Sequence, residues 1–473
     1  MAGQESRSKV TQGKVSRRRF LAGSLAAATF SVVPRHVLGG SGEKPPSEKL
    51  NIAGVGVGGM GHGNVNNCSG ENIVALCDVD ENYASRTFKK YPKAKVWKDF
   101  RRMLDKQKEI EAVVVATPDH THAIVSLAAM ELGKGVYTQK PLTHSVWEAR
   151  KLREAAQKYD VATQMGNQGH AGDSVRQLKE WIQAGAIGKV REVHCWTDRP
   201  FGWWPQGVGR PKGTPSVPSN LDWNLWLGPA PKRPYHPAYH PFAWRGWWDF
   251  GTGSLGDMGC HVMDGPFFAL ELGYPTSVEA TVTGFKGGAH DMIKLDGHEF
   301  PVQSSCVGPD AETAPAASVI RYDFPERGDM PPVSLTWWDG GLKPERPPEL
   351  ESSHLPSNGN LFIGDKGKIL CGTYGSNLRM VPRSKMDDFD APPATLDRIK
   401  VSHEEDWIRA CKGGKPASSN FNYSGPLTEV VLLGNLALRT GRRLEWNGEK
   451  MKVTNVPDAN KYVRDDYRKD WSM

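Results

Sequence analysis

The stretch Leu50-Asn51-Ile52-Ala53-Gly54-Val55-Gly56-Val57-Gly58-Gly59-Met60-Gly61 decides how the rest of the chain reads. An apolar run of strand length passes directly into a glycine-rich turn, which holds G-x-G-x-x-G in two registers, 54/56/59 and 56/58/61. The register Gly56, Gly58 and Gly61 leaves a full strand ahead of the turn. Glycines so placed permit a tight turn and let backbone N–H groups approach a pyrophosphate at a helix N-terminus, with Gly59 and Met60 in the same cradle. About twenty residues on, a second apolar run ends at Asp78, whose carboxylate can accept a hydrogen bond from a ribose hydroxyl. An acid there favours NAD over NADP.

Outward from this turn, short apolar runs alternate with amphipathic stretches. The pattern predicts strands over 50–57, 72–77, 112–116 and 135–137, with helices over 61–68, 83–90, 121–132 and 146–159. Such βαβ alternation is the pattern of a parallel, doubly wound Rossmann sheet. Beyond Gly188 the pattern changes to longer strand-like segments, 190–197, 277–284, 317–324 and 333–338, separated by Pro/Gly-rich loops. This predicts an antiparallel second half, with helices over 256–272 and 427–439.

Two groups of residues carry chemistry. Gln139-Lys140-Pro141 follows a strand directly, which puts a lysine at the carboxyl edge of the sheet, where ligands of doubly wound folds bind. Far downstream, Asp257 and His261 stand at i and i+4 on one helical face, with Asp264 one turn further. An Asp and a His so placed can bind a substrate hydroxyl and exchange its proton, while a lysine ammonium stabilises developing oxyanion charge. No third ligand stands at a fixed spacing, which argues against a metal site.

The segment from Trp196 to Trp248 holds eight of the chain's sixteen tryptophans and reads as ordered loops. Flat indole faces, Trp203 and Trp204 among them, suit stacking on sugar rings, and equally suit packing of the loop on itself or on another subunit.

With Ala116-Thr117-Pro118-Asp119-His120-Thr121-His122 and Ala186-Ile187-Gly188-Lys189-Val190 added to these elements, residues 48–447 resemble the glucose-fructose oxidoreductase / inositol dehydrogenase (Gfo/Idh/MocA) family. The resemblance implies an N-terminal Rossmann domain over 48–170. It also implies an α/β domain over 171–450, whose large, mostly antiparallel open sheet mediates homo-oligomers; a C-terminal tail follows over 451–473. Lys140 matches the lysine of the family's E-K-P element, and Asp257 and His261 match its substrate-binding Asp and catalytic His. Thr117, Pro118 and His122 match the segment lining the nicotinamide, and Asn167 lies where the family reaches toward substrate. Gln139 departs from the usual Glu, and a neutral amide cannot lower the local potential as a carboxylate would.

The function expected from these residues is NAD-dependent hydride transfer at a secondary alcohol of a sugar, polyol or glycoside. His261 takes the hydroxyl proton while Lys140 and Asp257 orient the oxygen. Two alternatives stay open: an NAD-assisted glycosidase or lyase working by transient C3 oxidation and elimination, and a nucleotide-bound binding or sensing protein without turnover.

Composition narrows the partners. The net charge is +7, but the first 39 residues carry seven basic side chains against Glu5 alone, so residues 40–473 keep only +1. A nearly neutral body has no basic surplus for a nucleic-acid backbone. The basic leader has its own reading: Ser16-Arg17-Arg18-Arg19-Phe20-Leu21, followed by a short apolar run to Val33, resembles a twin-arginine export signal over 1–40, which implies a periplasmic destination. That run is too short to span a bilayer. Export away from free NAD implies a tightly held nucleotide, loaded before export. Seven scattered cysteines without a C-x-x-C pair suggest neither a zinc site nor a disulfide framework.

Overall fold

The computed structural model describes residues 48–284, 292–295, 297–303 and 305–473, so the twin-arginine-like leader lies outside the described residues. The chain divides into two units, residues 1–49 and 50–473, and the second carries every strand and helix named below.

Six strands form the first sheet: β1 (Asn51–Val55), β2 (Asn72–Cys77), β3 (Lys95–Trp97), β4 (Ala112–Val115), β5 (Gly135–Thr138) and β6 (Thr163–Met165), in the order β3-β2-β1-β4-β5-β6. Every pairing is parallel. The order reverses between β1 and β4, and that switch point opens a crevice beyond the carboxyl ends of the strands. All four residues of β4 and of β5 are buried, as strands covered on both faces must be. The connecting helices are α1 (Gly59–Asn67), α2 (Glu81–Lys90), α3 (Phe100–Lys106), α4 (Asp119–Met130) and α5 (Val146–Lys158). Asp80 and Asp99 cap α2 and α3 by accepting N–H groups of the first turn, and Ser145 with Glu148 forms a capping box on α5.

Nine strands form the second sheet, which begins at β7 (Val190–Trp196) and continues through β8 (Ser277–Thr283), β11 (Ala317–Phe324), β12 (Val333–Trp338), β13 (Gly359–Gly364), β14 (Lys368–Cys371), β15 (Arg379–Val381), β16 (Leu444–Asn447) and β17 (Lys452–Val453). A separate hairpin pairs β9 (Met292–Leu295) with β10 (His298–Pro301). The large sheet runs β15-β14-β13-β7-β12-β11-β8-β16-β17. It is antiparallel as expected except at β7 and β12, which pair in parallel. Alternation along β12 turns Val333, Leu335 and Trp337 into the core and leaves Ser334, Thr336 and Trp338 half-buried.

Two helical expectations are corrected, and one helix is added. The helix expected over 256–272 is two helices, Gly253–Val262 and Asp264–Ala269, joined at Met263. Asp257 and His261 share the first, while Asp264 opens the second. The helix expected from 427 begins at Phe421 and runs to Thr440, with Asn420 accepting the Asn422 N–H as its cap and Pro426 inside it. A helix that the sequence reading did not mark, His403–Cys411, covers one face of the Rossmann sheet, packing Trp407 and Ile408 against Ile52, Ala112, Val114 and Tyr137. Residues late in the chain thus complete the core of the first sheet.

Candidate active site and nucleotide cleft

The glycine turn takes the register Gly56, Gly58, Gly61. Gly56 has φ +75°, and a Cβ on it would lie 2.7 Å from the Thr117 nitrogen; a Cβ on Gly61 would lie 1.8 Å from the Gly56 carbonyl oxygen. Only glycine fits at either place. Asp78 ties this turn to the end of β2: Oδ2 accepts the N–H groups of Val57 at 2.8 Å and Gly58 at 3.1 Å, and Oδ1 accepts that of Asp80 at 3.0 Å. A carboxylate has about four lone-pair positions, so Asp78 keeps one for a ribose hydroxyl while it shapes the turn. Burial raises its pKa against the pull of those N–H groups.

A cavity of about 280 Å³ runs over this turn and the switch point. Gly56, Gly58, Gly59, Met60, Asp78, Thr117, Pro118, His122, Lys140 and Asp257 all line it. Met60 is exposed, its side chain lying on the open side of the turn. The Thr117 hydroxyl oxygen is buried without a hydrogen-bond partner. His122 stands between two of the lining loops, with Nδ1 2.8 Å from the Pro141 carbonyl and Nε2 2.7 Å from that of Thr117. Burial lowers its pKa, and a neutral ring can donate to only one carbonyl at a time.

At the β5 end of the cleft, Lys140 Nζ donates to Asp257 Oδ1 at 2.8 Å and to the Asp257 carbonyl at 2.7 Å. Arg245 Nε lies 3.4 Å from the same carboxylate. Burial alone would raise the Asp257 carboxyl, but Lys140 and Arg245 hold it down at about 2. His261, one turn along the helix, is 7% exposed, and its Nδ1 has no partner. Burial, reinforced by Lys140, pushes this imidazole well below its usual value, so it is neutral near pH 7. The Tyr374 ring packs edge-on against it at 5.1 Å, from a backbone held at φ +62°.

Four substrate candidates do not line this cavity: His261, described above, and three that stand elsewhere. Asn167 is fully buried, its amide nitrogen donating to Asp264 Oδ1 at 3.1 Å and its oxygen accepting from the Ser419 hydroxyl at 2.6 Å, so it does not line the cleft. Trp203 is half-exposed beside the Arg199 guanidinium, and Trp204 is buried with its N–H donating to Gln206. The aromatic lining of the cleft comes instead from Tyr83, Phe100, Trp226, Phe242, Trp244 and Trp471. No local motif marks these residues; loops distant in sequence bring them together.

Gln139 is explained by what lies behind it. Its Nε2 donates to Asn64 Oδ1 at 2.9 Å, and Asn64 Nδ2 donates to Glu404 Oε1 at 2.8 Å. All three side chains are buried. The carboxylate missing at position 139 thus stands two hydrogen bonds away, on the helix His403–Cys411.

Comparison with known proteins bears on the family and the fold. Residues 49–167 match the model of the GFO_IDH_MocA oxidoreductase family, NAD-binding Rossmann fold, and residues 171–286 match that family's C-terminal alpha/beta domain. Among curated relatives, inositol 2-dehydrogenase of Salmonella typhimurium is 31% identical over 150 residues, 31% of this chain and 44% of that protein. Levoglucosan dehydrogenase of Pseudarthrobacter phenanthrenivorans is 25% identical over 209 residues, 43% of this chain and 45% of that protein. The chain therefore aligns with less than half the length of these relatives. In structure it is similar to the WlbA dehydrogenase of Chromobacterium violaceum in complex with NADH and UDP-GlcNAcA, with TM-score 0.57 and 16% identity over 85% of this chain and 97% of that one. It is similar also to a levoglucosan dehydrogenase in complex with NADH and levoglucosan, with TM-score 0.55 and 16% identity over 84% and 99%. Residues 49–286 thus match the two domain models of the Gfo/Idh/MocA oxidoreductase family in order, an NAD-binding Rossmann fold followed by a C-terminal alpha/beta domain.

Proposed function

We propose that this protein is an NAD-dependent oxidoreductase acting at a secondary alcohol of a sugar, polyol or glycoside. The observation that carries the reading is the Lys140–Asp257 pair at one end of the cleft, with a neutral His261 one helical turn away. The chain's residues suit the nucleotide: Gly56 and Gly61 leave no room for a Cβ, Asp78 keeps a free lone pair, and the orphaned Thr117 hydroxyl faces no protein partner. NAD held there would supply the two-electron acceptor for the hydrogen on the alcohol carbon.

The protein's side chains then do three things. Lys140 donates an Nζ hydrogen to the substrate oxygen, and the ionised Asp257 carboxylate, which accepts from the same Nζ, holds that ammonium in place. His261 takes the hydroxyl proton, because a neutral imidazole can act as base without first losing a proton. Arg245 keeps Asp257 ionised. Trp226 and Trp244, on the cleft wall, offer apolar faces to a sugar ring.

Two further elements belong to this proposal. The leader over 1–40 directs export by a twin-arginine-type route to the periplasm, and the nine-stranded sheet joins copies of the chain. Among the described residues no helix is long and apolar enough to cross a membrane.

The test is mass spectrometry of the small molecules released when the purified protein is denatured, then absorbance at the reduced-nicotinamide band as sugars and polyols are added. Released NAD and a substrate-dependent band support the reading. NAD with no spectral change across the panel favours a binding protein, and aglycone release without net reduction favours the lyase.

A further inference from the structure

We infer that the segment 465–473 is an adenine clasp, in which Trp471 forms part of the site for the purine ring of the dinucleotide. The inference rests on the NAD reading and extends it to the opposite end of the cleft. Trp471 lines the same cavity as the glycine turn and Lys140. Its ring centroid lies 6.3 Å from that of Phe100, and the Arg101 guanidinium stands 4.3 Å over its ring. Asp99, the cap of α3, holds that guanidinium at 2.8 and 3.0 Å.

Topology says which half of a dinucleotide this corner meets. Phe100 follows β3, and Lys140 follows β5. In the order β3-β2-β1-β4-β5 those strands are four spacings apart, about 19 Å at ~4.8 Å each. With the reacting end fixed at Lys140 and Asp257 and the pyrophosphate on the glycine turn, the far end falls beside Val79, Phe100 and Trp471. A purine has a π-face and little charge, and an aromatic ring such as the half-buried Trp471 is the surface that takes it by stacking.

The segment is tied down at three residues ahead of this tryptophan. His144 Nδ1 is 2.7 Å from Asp465 Oδ2, and the Tyr467 hydroxyl donates to Glu148. The Arg468 guanidinium donates to the Asn224 carbonyl at 2.5 Å, to Asn224 Oδ1 at 2.8 Å and to the Gly228 carbonyl. From the opposite rim, His240 Nε2 and Asn220 Nδ2 each reach Asp80 at 2.7 Å, and Tyr83 lies across Gly58 and Gly59.

The test compares the full-length protein with Trp471→Ala and Trp471→Phe, measuring NAD dissociation by rapid gel filtration with mass spectrometry, and the affinities for ADP-ribose and for nicotinamide mononucleotide. The expected result is dissociation about tenfold faster or more in Trp471→Ala, with weaker ADP-ribose binding, unchanged nicotinamide mononucleotide binding and near-normal behaviour in Trp471→Phe. Equal NAD dissociation in Trp471→Ala and the parent would overturn the clasp and leave the NAD reading standing. Equal weakening of both fragments would also overturn it, because it marks general loosening of the cleft. A parent protein that binds neither NAD nor ADP-ribose would sink both readings.

Discussion

Lys140 Nζ makes two hydrogen bonds to a single residue, Asp257, one to its carboxylate at 2.8 Å and one to its carbonyl at 2.7 Å. The first sheet and the first turns of the helix Gly253–Val262 are thereby joined at the point where substrate would enter. Lys140→Met leaves the Asp257 carboxylate largely buried, with only Arg245 Nε at 3.4 Å beside it. The expected loss is ~3 kcal/mol, the low end for breaking a buried pair, read from urea unfolding. Asp257 has a lowered folded pKa, so its contribution is fully present above its ordinary value of 3.8 and is lost as pH falls through about 2. Asp257→Asn should remove that part of the acid limb of the stability profile.

His261→Ala should abolish turnover and leave NAD binding intact. Because burial and Lys140 hold the imidazole well below its ordinary 6.5, the acid limb of the parent's kcat/KM profile should fall below pH 6.5. A limb centred at or above 6.5 would show that His261 is not the base.

Gln139→Glu, which restores the family's usual residue, should destabilise this protein. The hydrogen bonds run one way, Gln139 to Asn64 to Glu404, and a carboxylate at 139 leaves two buried acids competing for one amide. The expected cost is ~2 kcal/mol. Adding Glu404→Gln supplies a donor at the other end, reverses the direction of the chain and should restore the melting temperature. A stable Gln139→Glu single variant would refute this account.

The anchor of the segment 465–473 should weaken in alkali. Asp465, with Glu148 and Asp119, raises His144 to about 9 despite its burial. A folded-state pKa above the unfolded 6.5 means that this stabilisation is complete below pH 6.5 and is lost as pH rises through about 9. Burial, with Asp465 beside it, raises Glu148 to about 7, and its contribution fades in the same sense between pH 4.5 and 7. Melting temperatures across pH 6–10 should fall less steeply for His144→Gln than for the parent.

Trp203→Ala should leave KM for the substrate unchanged, because this ring packs at the surface beside Arg199. Trp244→Ala should raise KM, because Trp244 lines the cleft and stands 4.4 Å from the Arg245 guanidinium. Steady-state kinetics on the two variants separates these expectations.

Much of this protein was legible in its sequence, for a local reason. A glycine turn between a strand and a helix, an acid at the end of the next strand and an Asp/His pair at i and i+4 are short-range patterns. Backbone geometry alone brings Asp78 to the glycine turn, whereas Lys140 and Asp257, 117 residues apart, meet only through the tertiary fold. The parallel sheet followed from apolar runs that both faces of a covered sheet require.

What the tertiary structure alone decided involves residues far apart in the chain. Glu404 stands behind Gln139 across more than half the sequence, Asn167 turns to Asp264 rather than to the cleft, and Trp471 reaches the corner formed by Phe100. Tryptophan-rich composition announces aromatic surface, but an indole packs equally well in a core, on a surface or in a cleft. Which rings line the cleft therefore depends on how distant loops close, and that packing leaves no periodicity in the sequence.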